Sequence, residues 1–175
     1  MHSSRLKFLM LASLCCALIV VGTQIRIPFF FGVPLTMQTP MIQMAALCLL
    51  YPFGIYSVLL YLMLGASGFP VFSGGGGVTY LLGPTGGYLL GFLVATIPLQ
   101  IHRSLCISKP PMTLFSLTAH TVIIFFLGIS WHSYQADISF WKLASGMTPF
   151  YLAATIKIIL TFALVKSLLR IPKLK

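Results

Sequence analysis

The chain has 175 residues, 58% of them hydrophobic and only 7% charged, with a mean hydropathy of +1.01. That composition excludes a soluble globular domain, whose surface must carry charge, and identifies an integral membrane protein. The formal charge of +10 comes from basic residues gathered at the ends and in one loop, which suits the cytoplasmic edge of a membrane protein and disfavours nucleic acid as a partner.

A helix needs about 20 apolar residues to cross the hydrocarbon core, and the pattern predicts six such helices in one transmembrane domain spanning residues 1–175. The first runs from about Phe8 to Ile25. Arg5 and Lys7 ahead of it superficially resemble a signal peptide, but no cleavage site followed by a polar region appears, so it reads as a retained helix. Ser13 and Ala17, beside Ala12 and Cys16, give it a small-residue face suited either to internal packing or to contact with another helix.

Pro28 and Pro34 then predict an extended loop in RIPFFFGVPLTMQTP, unusually apolar because of Phe29, Phe30 and Phe31. The second and third helices, about Gln38–Leu50 and Pro52–Ala66, are joined by the short turn YPFG. Next comes the glycine-rich stretch Gly65–Gly91. Its first half reads as a shaped loop; in its second half Gly83, Gly87, Gly91 and Ala95 recur every four residues, a stripe that lets helices approach closely.

The fourth helix spans about Pro84–Ile101, followed by a polar, basic link from His102 to Pro111. The fifth spans about Met112–Ile129, followed by the polar connection WHSYQADISFWK, and the sixth about Thr148–Leu169. Counting Lys and Arg by side predicts that both termini are cytoplasmic. The loops at 27–37, 67–83 and 131–147 then share the outer face, which points to an outward-facing ligand site.

Lys157 stands out among the candidate functional residues. Eight positions after Pro149, it lies roughly 12 Å below the outer end of its helix at ~1.5 Å per residue. An ionisable group at that depth costs about 2.5–3.5 kcal/mol unless paired or wet, and no membrane acid exists to pair with it, since Asp137 is the single acid and sits in a loop. Either Lys157 awaits a ligand or it snorkels. Arg26 either guides a carboxylate or anchors the interface; Thr36 and Gln38 either read a polar ligand or cap a helix; Tyr80 and Tyr88 either contact a ligand or pack.

Enzymatic readings find no residues to carry them. SGGGGV lacks the GK[ST] of a phosphate-binding loop, and no G-x-G-x-x-G occurs. The histidines are dispersed, and Cys15, Cys16, Cys48 and Cys106 have no zinc-ligand spacing, so neither metal hydrolysis nor a bound cofactor is expected. The lack of membrane acids also disfavours an autonomous ion-coupled carrier.

Three ordered motifs, VPLTMQT (33–39), GASGFPVFSGGGG (65–77) and LGPTGGYLLGF (82–92), resemble the BioY family, the biotin-specific S components of energy-coupling factor (ECF) transporters. The resemblance covers most of the chain. It implies an all-α S-component fold of six transmembrane helices in the cell (inner) membrane. It also implies a transmembrane coupling subunit and two ATPase subunits as partners, with Ser13 and Ala17 facing the coupling subunit.

The implied biotin pocket draws on Arg26, Phe31, Thr36 and Gln38 of the first outer loop and the helix start after it. Phe72, Gly75, Gly76 and Tyr80 come from the glycine-rich loop, Gly86 and Tyr88 from the fourth helix, and Ala154 and Lys157 from the sixth. One departure stands out: family members usually carry PF-x-x-x-D-x-x-K, whereas TPFYLAATIK places Ala154 at the acid position. The alternatives are an S component for another small solute and a structural membrane protein without a transport role.

Overall fold

The computed structural model describes residues 2–27 and 35–168, with side chains from residue 5 onward. In chain order its elements are α1 (His2–Gln24), β1 (Arg26–Ile27), β2 (Leu35–Thr36), α2 (Gln38–Cys48), α3 (Phe53–Ala66), α4 (Val78–Leu81), α5 (Gly86–Ile101), α6 (Arg103–Ser108), α7 (Pro110–Ala136), α8 (Phe140–Gly146) and α9 (Thr148–Leu168). Each of the six segments expected to be helical is helical over most of its length. By length and composition, three described helices can cross a membrane (Arg5–Gln24, Pro110–Ala136 and Thr148–Leu168), while α3 and α5 are shorter apolar helices.

Two stretches read as polar connections are more ordered than expected. Pro110 and Pro111 do not merely end a link; they open α7, where the first-turn amide hydrogens have no partner anyway. At its other end α7 runs past Ile129 to Ala136 and stops at Asp137, whose φ of 52° is left-handed. The polar string stays helical because its inner side is used: the Trp131 Nε1–H donates to the Gly83 carbonyl (2.9 Å), and His132 is buried. Within the two links, α6 and α8 are short helices.

The small-residue stripe packs α5 against α7. A Cβ on Gly87 would lie 2.2 Å from the Trp131 Cβ and 2.7 Å from the Leu127 carbonyl oxygen. On Gly91 it would meet the Ile124 Cα at 3.2 Å, and Ala95 is fully buried. From the other side, Gly128 lies against the Tyr88 ring. These helices therefore touch almost backbone to backbone, so small changes at the stripe move both.

On α1, Ala12, Cys16 and Ile19 turn inward to the core, whereas Ser13 and Ala17 are exposed on its outer side together with Met10 and Leu14. The outer surface is apolar elsewhere too: Phe115 and Leu152 are each 67% exposed and Ile156 68%. That arrangement suits lipid and apolar partners.

Helix polarity puts the β1–β2 hairpin, the glycine-rich loop and α8 at one end of the bundle, and both ends of the described chain at the other. A polar clamp closes the latter end. Arg103 donates from Nε to the Leu47 carbonyl (2.8 Å), at the last turn of α2, where a cation also favours the helix dipole. The buried Gln100 accepts from the Ile55 amide (2.9 Å) and donates to the Leu49 and Leu50 carbonyls (3.4 Å each). Gln100→Met keeps the volume but strands these backbone groups, so we expect about 1–3 kcal/mol lower stability. The check is unfolding in detergent, with a lower melting temperature and the distant site unchanged.

Candidate functional site

The end of the bundle opposite the described termini holds a cavity between α2, α5, α7 and α9, roofed by the hairpin and α4. The space not filled by atoms is about 810 Å³, with the solvent of the open mouth included. Its walls are mostly apolar, supplied by Leu35, Leu89, Phe92, Ile124, Phe125 and Phe150.

The roof is shaped by close backbone approaches. The Arg26 guanidinium donates to the Ser73 carbonyl, tying the hairpin to the glycine-rich loop, and Arg26 pairs with Thr36 across the hairpin. Gly77, at φ +92°, donates its amide to the Gly65 carbonyl (2.6 Å), a backbone conformation that side chains resist. Phe72 is buried beneath, stacked on Tyr80 (centroids 5.4 Å) and edge-on to Tyr61 (5.4 Å). Tyr80 thereby reaches the cavity wall on a rigid aromatic support.

Six of the residues singled out in the sequence meet at this cavity: Thr36, Gln38, Tyr80, Tyr88, Ala154 and Lys157. Gln38 is held by donation from Nε2 to the Tyr61 hydroxyl (2.8 Å), which also lies 3.3 Å from Thr23 Oγ1. Lys157 is partly buried, and its ammonium has no hydrogen bond or ion pair among the described residues. Asp137 is exposed at the turn after α7, so no carboxylate among the described residues lines the cavity.

Arg26, Phe72, Gly75, Gly76 and Gly86 do not line the cavity but shape it. Gly75 exchanges backbone hydrogen bonds with Phe72 (2.9 and 3.3 Å). A Cβ on Gly76 would fall 2.0 Å from the Phe69 carbonyl oxygen, and one on Gly86 1.8 Å from that of Leu81. Phe31 lies outside the described residues. Ser13 and Ala17 sit on the exposed side of α1, away from the cavity.

Sequence reasoning missed Gln43, Ser73, Thr85 and Thr121, which also line the cavity. Among the described residues, three buried side-chain atoms of residues on its wall have no hydrogen-bond partner: Gln43 Oε1, Ser73 Oγ and the Tyr88 hydroxyl. Unmade hydrogen bonds of buried groups are expensive, and these groups belong to residues that line one mostly apolar cavity together with Lys157. The available signal for Gln43 was a second amide five positions after Gln38 in an otherwise apolar helix.

The chain is similar to known proteins over most of its length. The chain is 35% identical over 165 residues to "Biotin transporter BioY2" of Lactococcus lactis subsp. cremoris, covering 91% of this chain and 88% of the relative. It is 34% identical over 168 residues to "Biotin transporter BioY" of Rhodobacter capsulatus, covering 86% and 87% of the two chains. Its fold matches a 2.1 Å crystal structure of the S-component for biotin from an ECF-type ABC transporter, with a TM-score of 0.83, 28% identity, and coverage of 97% of this chain and 94% of that one. The BioY family model matches residues 1–173, and the chain belongs to the BioY family.

Proposed function

We propose that this chain captures biotin at the outer face of the cell membrane and acts as the S component of an ECF transporter, with no catalytic step of its own. The observation that carries the reading is the cavity in which one unpaired cation, Lys157, and several unpartnered neutral groups interrupt an apolar wall. Biotin complements it: an apolar bicyclic body and side chain, a ureido group with two donors and an acceptor, and a carboxylate. The names of the relatives favour biotin over other solutes of similar chemistry.

The finer features follow from that assignment. In this reading α1, α2, α3, α5, α7 and α9 are the six membrane helices, with both termini cytoplasmic. The distribution of Lys and Arg supports this, with Arg5, Lys7, Arg103, Lys109 and Lys166 all toward one side. The apolar outer side of α1 around Ser13 and Ala17 docks the transmembrane coupling subunit, and two cytoplasmic ATPases supply the energy that this chain has no motif to supply. The remaining surface faces lipid.

Ligand-induced stabilisation tests the solute. A ligand present at 100 times its Kd stabilises the folded state by about 2.7 kcal/mol, so biotin is expected to raise the melting temperature of the purified protein by several degrees. Other vitamins at the same concentration should not. A shift produced by a different vitamin and not by biotin would reassign the solute while keeping the S-component role; none with any small solute would favour a structural protein.

A further inference from the structure

Resting on the biotin reading, we infer that Gln43 is a specificity-determining residue, its Oε1 accepting a hydrogen bond from a ureido N–H of the ligand. The polar groups that interrupt the apolar wall are chiefly hydroxyls, with Gln38, Gln43 and Lys157, and among the described residues no carboxylate lines it. A ligand N–H must therefore be met by a neutral oxygen. At position 154 on α9 the side chain is a methyl group and offers none.

Gln43 is fully buried on α2, lines the cavity, and leaves Oε1 without a partner. The neighbouring Leu117 carbonyl favours the amide orientation that leaves that oxygen unpartnered. The nitrogen Nε2 lies 3.3 Å from the Leu117 carbonyl, 3.1 Å from Thr121 Oγ1 and 3.3 Å from His120 Nδ1. The Leu117 oxygen can only accept. Thr121 gives its own hydroxyl hydrogen to that same carbonyl (2.9 Å), so toward Gln43 it too accepts.

His120 completes the bracket. Its Nε2 lies 3.5 Å from Thr96 Oγ1, and Thr96 donates to the Phe92 carbonyl (2.7 Å). Thr96 then accepts from Nε2–H, leaving Nδ1 free to accept from Gln43. A flipped amide would set its oxygen against the Leu117 carbonyl, which can only accept. The network thus engages Nε2 and leaves Oε1 as the unpartnered acceptor of a residue that lines the cavity. Such an acceptor rewards a ligand N–H and penalises one blocked by alkylation, which is how a buried polar group discriminates strongly between close analogues.

The test pairs Gln43→Met, which keeps length and apolar packing, with two ligands, biotin and biotin methylated on a ureido nitrogen (both monomethyl isomers). Equilibrium binding to the purified full chain is the readout. Losing one neutral hydrogen bond to a buried acceptor is expected to weaken biotin binding roughly 10-fold or more. In the parent, one methylated isomer binds at least about tenfold more weakly than biotin, and in Gln43→Met that preference shrinks to near unity.

A merely structural role would lower the affinity for all three ligands by the same factor and leave the preference intact, which overturns the inference. Unchanged biotin affinity in Gln43→Met overturns it as well. Should Gln43→Met fail to fold, Gln43→Glu serves: its carboxyl group keeps an oxygen acceptor, so the preference against the methylated isomer is retained, and its loss there would contradict the assignment. A folded parent that binds no biotin at all instead overturns the proposed function itself, an outcome readily distinguished from the other two.

Discussion

Lys157→Ala is expected to bind biotin about 100-fold more weakly than the parent, or roughly 2.7 kcal/mol, the magnitude of a lost charge-assisted hydrogen bond in a desolvated site. The same substitution should leave the ligand-free protein equally or more stable. Lys157 has no hydrogen bond or ion pair among the described residues, so in the empty protein its charge is a burden of about 2.5–3.5 kcal/mol on insertion scales, less whatever water in the cavity recovers. Alanine removes that burden and is the best helix former. The two effects have opposite sign, so weaker binding cannot be blamed on misfolding. Binding and melting temperature measured on the same sample decide it: unchanged affinity would move the ligand's anchor elsewhere, toward Gln38 or the roof.

The second large effect lies in packing. Gly87→Ala is expected to destabilise the protein by about 3 kcal/mol and to abolish biotin binding, whereas Gly91→Ala is expected to be nearly neutral. The difference is geometric. At Gly87 the new methyl would stand 2.2 Å from the Trp131 Cβ and 2.7 Å from a backbone oxygen, neither of which is the free end of a side chain. The helices must separate, and Tyr88 on α5 parts from Ile124 and Phe125 on α7 across the cavity. At Gly91 the closest approach is 3.2 Å, a few tenths of an ångström to absorb, offset by the roughly 1 kcal/mol that alanine gains over glycine in a helix. Thermal unfolding in detergent ranks them, and equal melting temperatures would mean that the stripe does not set the α5–α7 distance.

Much of this was legible in the sequence because lipid simplifies the code. Apolar runs punctuated by Pro28, Pro34, Pro52 and the glycines delimit the main helices to within a few residues apart from the end of α7. Of the four-residue recurrence Gly83, Gly87, Gly91 and Ala95, the last three mark the tight face of α5, while Gly83 lies before the helix. Lys157 was conspicuous for the same reason: a lone cation in an apolar helix demands an explanation. The ends of α7 were misjudged because polarity was taken to mark a loop. Trp131 and His132 show that a helix can carry polar residues at its ends while its inner side still packs.

What faces inward was harder to read. When both lipid and core are apolar, hydrophobicity no longer distinguishes the two sides of a helix, so Ala12 and Cys16 could not be separated from Ser13 and Ala17, although the first pair is buried and the second exposed. The same ambiguity hid Gln43. Its role depends on Leu117, His120 and Thr121, more than seventy positions away on another helix, and pairing at that distance has no local signature. Arg26 and the roof glycines were flagged as ligand contacts, yet they shape the cavity through backbone carbonyls without lining it, because a motif marks where a chain must be special and not which atom meets the solute.

The most direct test of biotin capture is equilibrium binding of labelled biotin to the purified, detergent-solubilised protein. The prediction is saturable binding with one site per chain, displaced by unlabelled biotin and not by other vitamins. A protein that is demonstrably folded, by its helical circular dichroism and a cooperative melt, yet shows no saturable biotin binding would contradict it.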